Sequence, residues 1–154
     1  MAVAKKTTDK EIKKTIEDIL KHLTITAKIT VTKDESENYS VAVETEETGL
    51  LIGRHGETLN GLQLLLGIIL YKKLGHWVHV MLDVGDYRKT REDSIKEMVT
   101  RIIAEVEQSG QPVMLPYMTP LERRIVHLML TDHERVISES QGEGRERRVM
   151  IRLK

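Results

Sequence analysis

The stretch Gly49-Leu50-Leu51-Ile52-Gly53-Arg54-His55-Gly56-Glu57-Thr58-Leu59 places two glycines on either side of an arginine and a histidine. Glycine is used where a backbone turns sharply or lets another group approach closely. A Gly-x-x-Gly loop that opens a helix presents free amide groups and the positive end of the helix dipole to a ligand. The pattern therefore fits a clamp for phosphate groups, while the simpler interpretation is a tight turn between two helices.

The segments before and after this loop have the periodicities of helices and strands. In chain order we predict a helix over 9–22, strands over 24–32 and 39–44, a helical turn over 47–52, a helix over 57–73 and a strand over 76–84. Thr8 and Glu11 form a capping box at the first helix, and residues 1–8 are expected to be a loose arm. The helix over 57–73 is apolar on more than one side, which predicts that it is well buried.

We also predict the surroundings of three residues in or just after the helix over 57–73. Trp77, the single tryptophan of the chain, is expected in the core. Gly61 and Gly67 lie inside the predicted helix, where glycine weakens the helical propensity. Glycine at such positions suggests close packing against a neighbouring element.

The second half of the chain contains the clearest helical pattern. In chain order we predict a helix over 88–109, a short strand over 112–116, a helix over 120–130 and a hairpin of strands over 134–140 and 147–154. Thr119 and Glu122 form a second capping box, with Pro120 at the first helical position. That position suits proline because its missing N–H has no helical partner to lose.

Composition and charge exclude several classes of protein. The 24 Lys and Arg residues balance the 24 Asp and Glu residues, so any basic face must be local. The absence of cysteine excludes disulfides and thiolate metal sites and fits a reducing compartment. No apolar run reaches the ~18 residues of a membrane span. We therefore predict a cytoplasmic protein that is not inserted in a membrane. Since the sequence contains no carboxylate cluster or metal motif, we also predict that it is not an enzyme and has no metal, cofactor or catalytic residue, and a nuclease is the least favoured alternative.

The order helix, strand, strand, short helix, Gly-x-x-Gly, helix, strand resembles a type II KH domain over about residues 9–85. The loop of that family corresponds here to Ile52, Gly53, Arg54, His55 and Gly56. What the resemblance implies is a cleft for about four nucleotides of a single strand, with their backbone against the loop. Arg54 and His55 are then expected at the phosphates.

An arginine and a histidine follow the second capping box at helical spacing. Arg123 and His127 are four residues apart and share one face of the predicted helix, which we expect to be exposed. The opposite face is expected to carry Leu121, Ile125, Leu128 and Met129. The run from Pro116 to His127 resembles the start of an Arg-xxx-His domain, a family that binds single-stranded nucleic acid. The resemblance covers about residues 88–154, and in the arginine-rich hairpin we expect Arg148 and Arg152 to contribute to binding.

A KH domain followed directly by an Arg-xxx-His domain resembles the bacterial Jag (KhpB) family. We therefore expect an α/β (α+β) protein with an arm at 1–8, a KH domain at 9–87 and an Arg-xxx-His domain at 88–154 that includes its leading helix. Family members commonly carry an additional N-terminal Jag-N domain, and only about eight residues precede the first predicted helix here. Any role that depends on that additional domain is not implied by this resemblance.

The resemblance implies a protein that binds single-stranded RNA, or single-stranded DNA, as an RNA chaperone or post-transcriptional regulator. It also implies a link to cell elongation and wall synthesis, and a small KH-only protein or a second copy of the chain as partner. The alternative is a protein-interaction scaffold that pairs with another KH protein and for which RNA binding is incidental.

Overall fold

The computed structural model describes residues 2–154, with side chains described from Thr8 onward. It divides into two compact units, and the division falls between Arg88 and Lys89. Each unit combines helices with a three-stranded sheet, in agreement with the predicted α+β class.

The elements of the first unit follow one another in the predicted order. They are α1 (Ala2–His22), β1 (Lys28–Lys33), β2 (Tyr39–Glu44), α2 (Thr48–Ile52), α3 (Glu57–Leu74) and β3 (Val80–Val84). A single 3-10 turn, Arg54–Gly56, joins α2 to α3. The sheet order is β1-β2-β3, with β1 antiparallel to β2 as the predicted hairpin requires and β3 parallel to β2.

One face of this sheet packs on α1 and α3 and forms the core of the first unit. The alternation along β2 buries Tyr39, Val41 and Val43 and exposes the residues between them. The helices contribute Ile12, Ile16, Leu20, Leu59, Leu66 and Leu70, all buried. Burying an aliphatic side chain contributes about 1.5–3 kcal/mol, so these stripes fix how both helices lie on the sheet.

The free edge of the sheet, along β3, is closed at Leu82 by side chains. The amide of Leu82 donates to Gln63 Oε1 at 3.0 Å, and its carbonyl accepts from Arg88 Nε at 3.0 Å. Arg88 also donates to Gln63 Oε1, at 2.9 Å. Unpaired edge groups are a template for pairing with another strand, and these bonds remove that template at Leu82.

Three expectations for the first unit were wrong. The first helix begins at Ala2, so Thr8 lies inside α1 rather than at a cap, and the arm predicted over 1–8 is helical from Ala2. Alanine and lysine, which dominate that segment, are good helix formers. Trp77 lies outside the core with 66% of its surface exposed, and its ring stacks on Tyr71. A methyl group added at Gly61 would meet no atom within 4 Å, so Gly61 does not mark close packing.

The burial expected for α3 was also wrong on one side. The sheet and α1 cover the stripe that contains Leu66 and Leu70, which are fully buried. The adjacent stripe of Leu64, Leu65, Ile68 and Tyr71 is exposed. A helix that is apolar all round needs cover on every side, and this unit provides cover on one.

The second unit contains the rest of α4 (Tyr87–Ser109), a helix that begins in the first. The elements that follow are β4 (Val113–Met114), α5 (Pro120–Leu130), β5 (Val136–Gln141) and β6 (Arg148–Leu153). The sheet order is β4-β6-β5, and both pairs are antiparallel. Val149 and Ile151 of β6 face the core, as the alternation of the last strand predicts.

Helix α5 is rotated relative to the prediction. Its buried stripe is Glu122, Val126 and Leu130, whereas Leu121 and Leu128 each expose 64% of their surface. The rotation follows from Glu122, because its carboxylate accepts from the amide of Thr119 at 2.7 Å and from Arg91 Nε at 2.7 Å. Those two bonds draw position 122 inward, and residues four and eight places further on follow it.

Among the helices described, none is both long and apolar enough to span a bilayer.

Candidate nucleic-acid interface

Two glycines shape the loop between α2 and α3, and neither position has room for a side chain. Gly53 has φ 68° and ψ −168°, and a Cβ there would lie 2.0 Å from Thr58 Oγ1. Gly56 has φ 81°, and a Cβ there would lie 2.9 Å from Cε1 of Tyr87. Both backbone conformations favour glycine. The loop geometry therefore depends on both glycines.

The two residues between the glycines, Arg54 and His55, differ in their solvent exposure. Arg54 is exposed, and His55 is half-buried with a left-handed backbone at φ 53° and ψ 28°. A left-handed non-glycine residue stores about 1–3 kcal/mol of strain and is typical of functional loops. Helix α3 begins immediately afterwards at Glu57, whose amide donates to the carbonyl of Arg54, so the positive end of the helix dipole lies beside Arg54 and His55. The loop thus combines a cation with a helix N-terminus, an arrangement suited to a phosphate.

The capping box predicted at α5 is present in full. Thr119 Oγ1 accepts from the amide of Glu122 at 3.3 Å, and the Glu122 carboxylate accepts from the amide of Thr119. The box fixes the start of α5 and hence the direction in which Arg123 and His127, one turn apart, leave the helix. Both side chains are half-buried rather than freely solvated.

Arg123 and His127 line the same open cavity of about 490 Å³, which we call the arginine cavity. Its other polar lining residues include Arg124, Arg147 and Ser140. Arg123 is anchored because its Nη1 donates to the carbonyl of Met118 at 2.8 Å. Among the described residues, no carboxylate pairs with Arg124 or Arg147. The cavity therefore concentrates positive charge that the protein itself does not neutralise.

The imidazole of His127 is held at both ring nitrogens. Nδ1 is hydrogen-bonded to Ser138 Oγ at 2.7 Å, and Nε2 is hydrogen-bonded to Ser140 Oγ at 2.8 Å. Ser138 and Ser140 are two apart on β5, so both point to the same side of the sheet. A second cavity of about 530 Å³ lies against the Ser138 side of the ring.

Arg148 and Arg152, expected to contribute to binding, lie outside the residues that line the arginine cavity. Arg152 lines the second cavity, but its guanidinium bonds the Glu139 carboxylate and also donates from Nη1 to its neighbour's carbonyl at 2.8 Å. The hydrogen bond from Arg152 holds the pKa of Glu139 below its ordinary value. Arg148 lies 3.9 Å from a Glu146 carboxylate oxygen, a weak exposed pair.

Sequence reasoning missed Arg124, Arg147, Ser138 and Ser140. Arg147 directly precedes β6 and so carries no periodic signal. The two serines form a Ser-x-Ser pattern within a strand, which places them on one face. The pairing of that face with His127 is a long-range contact that no local pattern specifies.

Among the described residues, no group of three or more His, Asp or Glu side chains could hold a metal ion.

Comparison with known proteins supports this division of the chain into two parts. A family model described as "KhpA/KhpB, KH domain" matches residues 13–82, and a model of the Arg-xxx-His domain matches residues 93–153. The first match contains the glycine loop, and the second contains Arg123, His127 and the two serines.

Curated relatives match over most of this chain. The RNA-binding protein KhpB of Clostridium symbiosum is 31% identical over 140 residues, which is 90% of this chain and 63% of the relative. KhpB of Lactiplantibacillus plantarum is 33% identical over 137 residues, 88% of this chain and 42% of the relative. KhpB of Bacillus subtilis is 29% identical over 130 residues, 82% of this chain and 62% of the relative.

The chain thus spans less than two thirds of the length of these relatives. The chain therefore contains a KH domain of the KhpA/KhpB type followed by an Arg-xxx-His domain, and it is similar to KhpB proteins over most of its length.

Proposed function

We propose that this chain binds single-stranded RNA through the glycine loop of its KH domain and the arginine cavity of its Arg-xxx-His domain, without catalysing a reaction. The observation that carries the proposal is the arginine cavity. Arg123, Arg124 and Arg147 line one opening, and among the described residues no carboxylate pairs with Arg124 or Arg147. Arginine is suited to phosphate because its planar fork donates two parallel hydrogen bonds.

Single-stranded nucleic acid fits these features better than a folded duplex. KH loops clamp the backbone of about four nucleotides whose bases are unpaired. The relatives are named RNA-binding proteins, which favours RNA over single-stranded DNA as the physiological ligand. Both ligands present the same phosphates, so single-stranded DNA is expected to bind the same cations.

The wider role that we propose is that of a cytoplasmic RNA chaperone or post-transcriptional regulator linked to cell elongation and wall synthesis. Its support is the family resemblance together with two phosphate-binding surfaces on one chain. Two such surfaces can hold separate segments of a strand, which is what a chaperone of RNA structure requires.

The test is an anisotropy titration of a labelled single-stranded RNA at moderate salt. The loop variant is Arg54→Asp with His55→Asp, and the cavity variant is Arg123→Ala with Arg147→Ala. Each is expected to weaken binding by about tenfold or more, since a hydrogen bond to a charged group is worth ~1.5–3 kcal/mol.

The matched control is Arg101→Ala with Arg135→Ala, which removes the same charge from exposed positions of the second unit outside the cavity. The control should bind nearly as the parent does. Equal weakening by the control and the cavity variant would mean that net charge, rather than a site, holds the RNA.

A second candidate function is pairing with another KH protein, and one observation favours it. The stripe of Leu64, Leu65, Ile68 and Tyr71 on α3 is exposed over successive turns of the helix. Larger contiguous exposed apolar patches mark sites that bind proteins, membranes or ligands. We propose a KH domain as the partner, from a small KH-only protein or from a second copy of this chain.

Sedimentation of the chain alone, and mixed with a KH-only protein, tests this second candidate. Ile68→Glu places a charge in the middle of the stripe and should abolish association while leaving RNA binding by the arginine cavity in place. Lys14→Glu, on an exposed position of α1 in the same unit, is the control for charge. Unchanged association in Ile68→Glu would remove α3 from the interface.

A further inference from the structure

The two serines of β5 leave His127 no free ring nitrogen. An imidazole forms hydrogen bonds only through its two nitrogens, in the plane of the ring. Here Nδ1 is bonded to Ser138 Oγ at 2.7 Å and Nε2 to Ser140 Oγ at 2.8 Å. For His127 to donate directly to a phosphate, a serine hydroxyl would first have to be displaced.

A serine hydroxyl, unlike the ring, has capacity to spare. It carries one donor and two acceptor lone pairs, so Ser140 can accept from Nε2–H and still donate its own proton to a third group. Ser140 lines the arginine cavity together with Arg123 and Arg147. The Ser140 hydroxyl can therefore donate a hydrogen bond to a ligand in the arginine cavity, where the arginine side chains also lie.

Ser138 holds the other ring nitrogen but faces a different environment. It lines the second cavity with Arg152, whose guanidinium is occupied by Glu139, and with Lys154. The two serines thus make the same bond to the same ring, and of the two it is Ser140 that lines the arginine cavity. This difference makes Ser138 the natural control for Ser140.

We propose that Ser140 is the residue that contacts the bound phosphate and that His127 is a positioning residue acting through Ser140. The inference rests on the proposed RNA-binding function of the arginine cavity. When Nε2 carries the proton, Ser140 accepts from the ring and its hydroxyl proton points away from it. When Nε2 is bare, Ser140 must donate to the ring and has no proton for the phosphate. His127 therefore selects the direction in which the Ser140 hydroxyl donates.

A double-mutant cycle between His127 and Ser140 tests this division of roles. Affinity for a labelled single-stranded RNA is measured for Ser140→Ala, His127→Ala and the double variant. Each single variant is expected to weaken binding about tenfold, the equivalent of ~1.4 kcal/mol. The double variant should bind no more weakly than Ser140→Ala alone, because residues that act as a unit are not additive.

Two results of the cycle would overturn the inference. If His127→Ala weakens binding a further tenfold in the Ser140→Ala background, the imidazole contacts the phosphate by itself. If Ser140→Ala binds as the parent does, the serine makes no contact. Should His127→Ala fail to fold, the serine variants alone decide the question.

Ser140→Thr retains the hydroxyl in a strand, where threonine is well tolerated, and should restore binding to nearly the parent value. Ser138→Ala removes a bond to the ring but leaves the cavity hydroxyl in place, so its loss should be clearly smaller than that of Ser140→Ala. Equal losses, or no rescue by threonine, would mean that the serines only support the fold.

Failure of this inference can be distinguished from failure of the proposed function. If Arg123→Ala with Arg147→Ala weakens RNA binding but Ser140→Ala does not, only the role of Ser140 is wrong. If the arginine variant binds RNA as the parent does, the proposed function fails and this inference fails with it.

Nitrogen chemical shifts of the His127 ring add a measurement that needs no RNA. Ser140→Ala should shift the Nε2 signal, and an unchanged signal would show that Ser140 is not hydrogen-bonded to the ring.

Discussion

At the scale of single residues, Gly53 and Gly56 allow the sharpest prediction about the loop. Gly53→Ala would bring a Cβ within 2.0 Å of Thr58 Oγ1 on a backbone that side chains rarely adopt. We expect Gly53→Ala to destabilise the first unit by about 1–3 kcal/mol and to weaken RNA binding, because the loop must rearrange.

Gly61→Ala is the matched control in the following helix. A Cβ at Gly61 meets no atom within 4 Å, and alanine is a better helix former there by about 1 kcal/mol. Denaturant unfolding should show Gly61→Ala to be as stable as the parent or more so. If Gly53→Ala also leaves stability unchanged, the loop does not require glycine at position 53.

A second prediction at this scale concerns Glu139, whose carboxylate accepts hydrogen bonds from the Arg152 guanidinium. The hydrogen bond from Arg152 lowers the pKa of Glu139, so the pair stabilises the fold above the ordinary glutamate pKa. That contribution is lost as pH falls through the lowered pKa in the folded state. Both side chains are more than one third exposed, so the effect on stability is expected to be small.

The larger effect of Glu139 should be on binding. Glu139→Gln removes the carboxylate charge and leaves Arg152 free to meet a phosphate, so RNA affinity should rise severalfold. Anisotropy titration measures this gain, with Glu134→Gln on an exposed position before β5 as the control. A fall in affinity would show that the Glu139 carboxylate itself supports the site.

Residues that act through local backbone geometry could be predicted from the sequence, and residues that act through long-range pairing could not. Gly53, Gly56, Arg123 and His127 belong to short motifs whose spacing already encodes their arrangement. Ser138 and Ser140 contact His127 only because β5 lies beside α5. Arg152 was expected to contribute to RNA binding, and in the structure its guanidinium is bonded to the Glu139 carboxylate on the neighbouring strand. Glu139 is the register partner of Met150, and Arg152 lies two residues after Met150 on the same face of β6.

At the scale of elements, the start of α5 depends on one buried carboxylate. Glu122 completes the capping box with Thr119 and accepts from Arg91 Nε at 2.7 Å, and it is 7% exposed. Glu122→Ala should destabilise the second unit by about 3 kcal/mol, because it removes a cap and leaves Arg91 without its partner.

Denaturant unfolding followed by circular dichroism measures the effect of Glu122→Ala. Glu92→Ala, which removes an exposed partner of Lys96 from α4, should cause no measurable change. A loss below about 0.5 kcal/mol in Glu122→Ala would mean that the rotation of α5 is set by its apolar residues instead.

The periodicity of apolar residues predicted which helices and strands form and in what order, but it predicted less well which of their faces are exposed. The existence and order of α3, α5 and the hairpin β1–β2 follow from the sequence, as does the Thr119–Glu122 capping box. The exposed stripe of α3 and the inward turn of Glu122 do not follow, because a pattern shows which side chains are apolar but not which neighbour covers them. The prediction that Trp77 lies in the core was wrong for the same reason, because the sequence shows that its side chain is apolar but not whether a neighbour covers it.

At the scale of the whole molecule, the two binding surfaces that we propose on one chain predict that affinity depends on RNA length. A strand long enough to engage both surfaces binds the second as an intramolecular event, which can raise affinity by ~100-fold or more. Arg123→Ala with His127→Ala should therefore weaken a long strand markedly and a four-nucleotide strand little. Equal losses for both lengths would mean that the second unit acts through general electrostatics or through stability, and no loss for either would mean that it does not bind RNA.

The central claim is that phosphates meet specific cations in both units, and the salt dependence of RNA affinity tests it most directly. Each phosphate contact on a single strand contributes about −0.7 to the slope of log affinity against log salt. The dissociation constant is measured over a series of potassium chloride concentrations for the parent, the Arg54→Asp, His55→Asp variant and the Arg123→Ala, Arg147→Ala variant. We predict a steep slope for the parent and a shallower one, by at least one contact, for each variant. A flat slope shared by all three proteins would contradict the account.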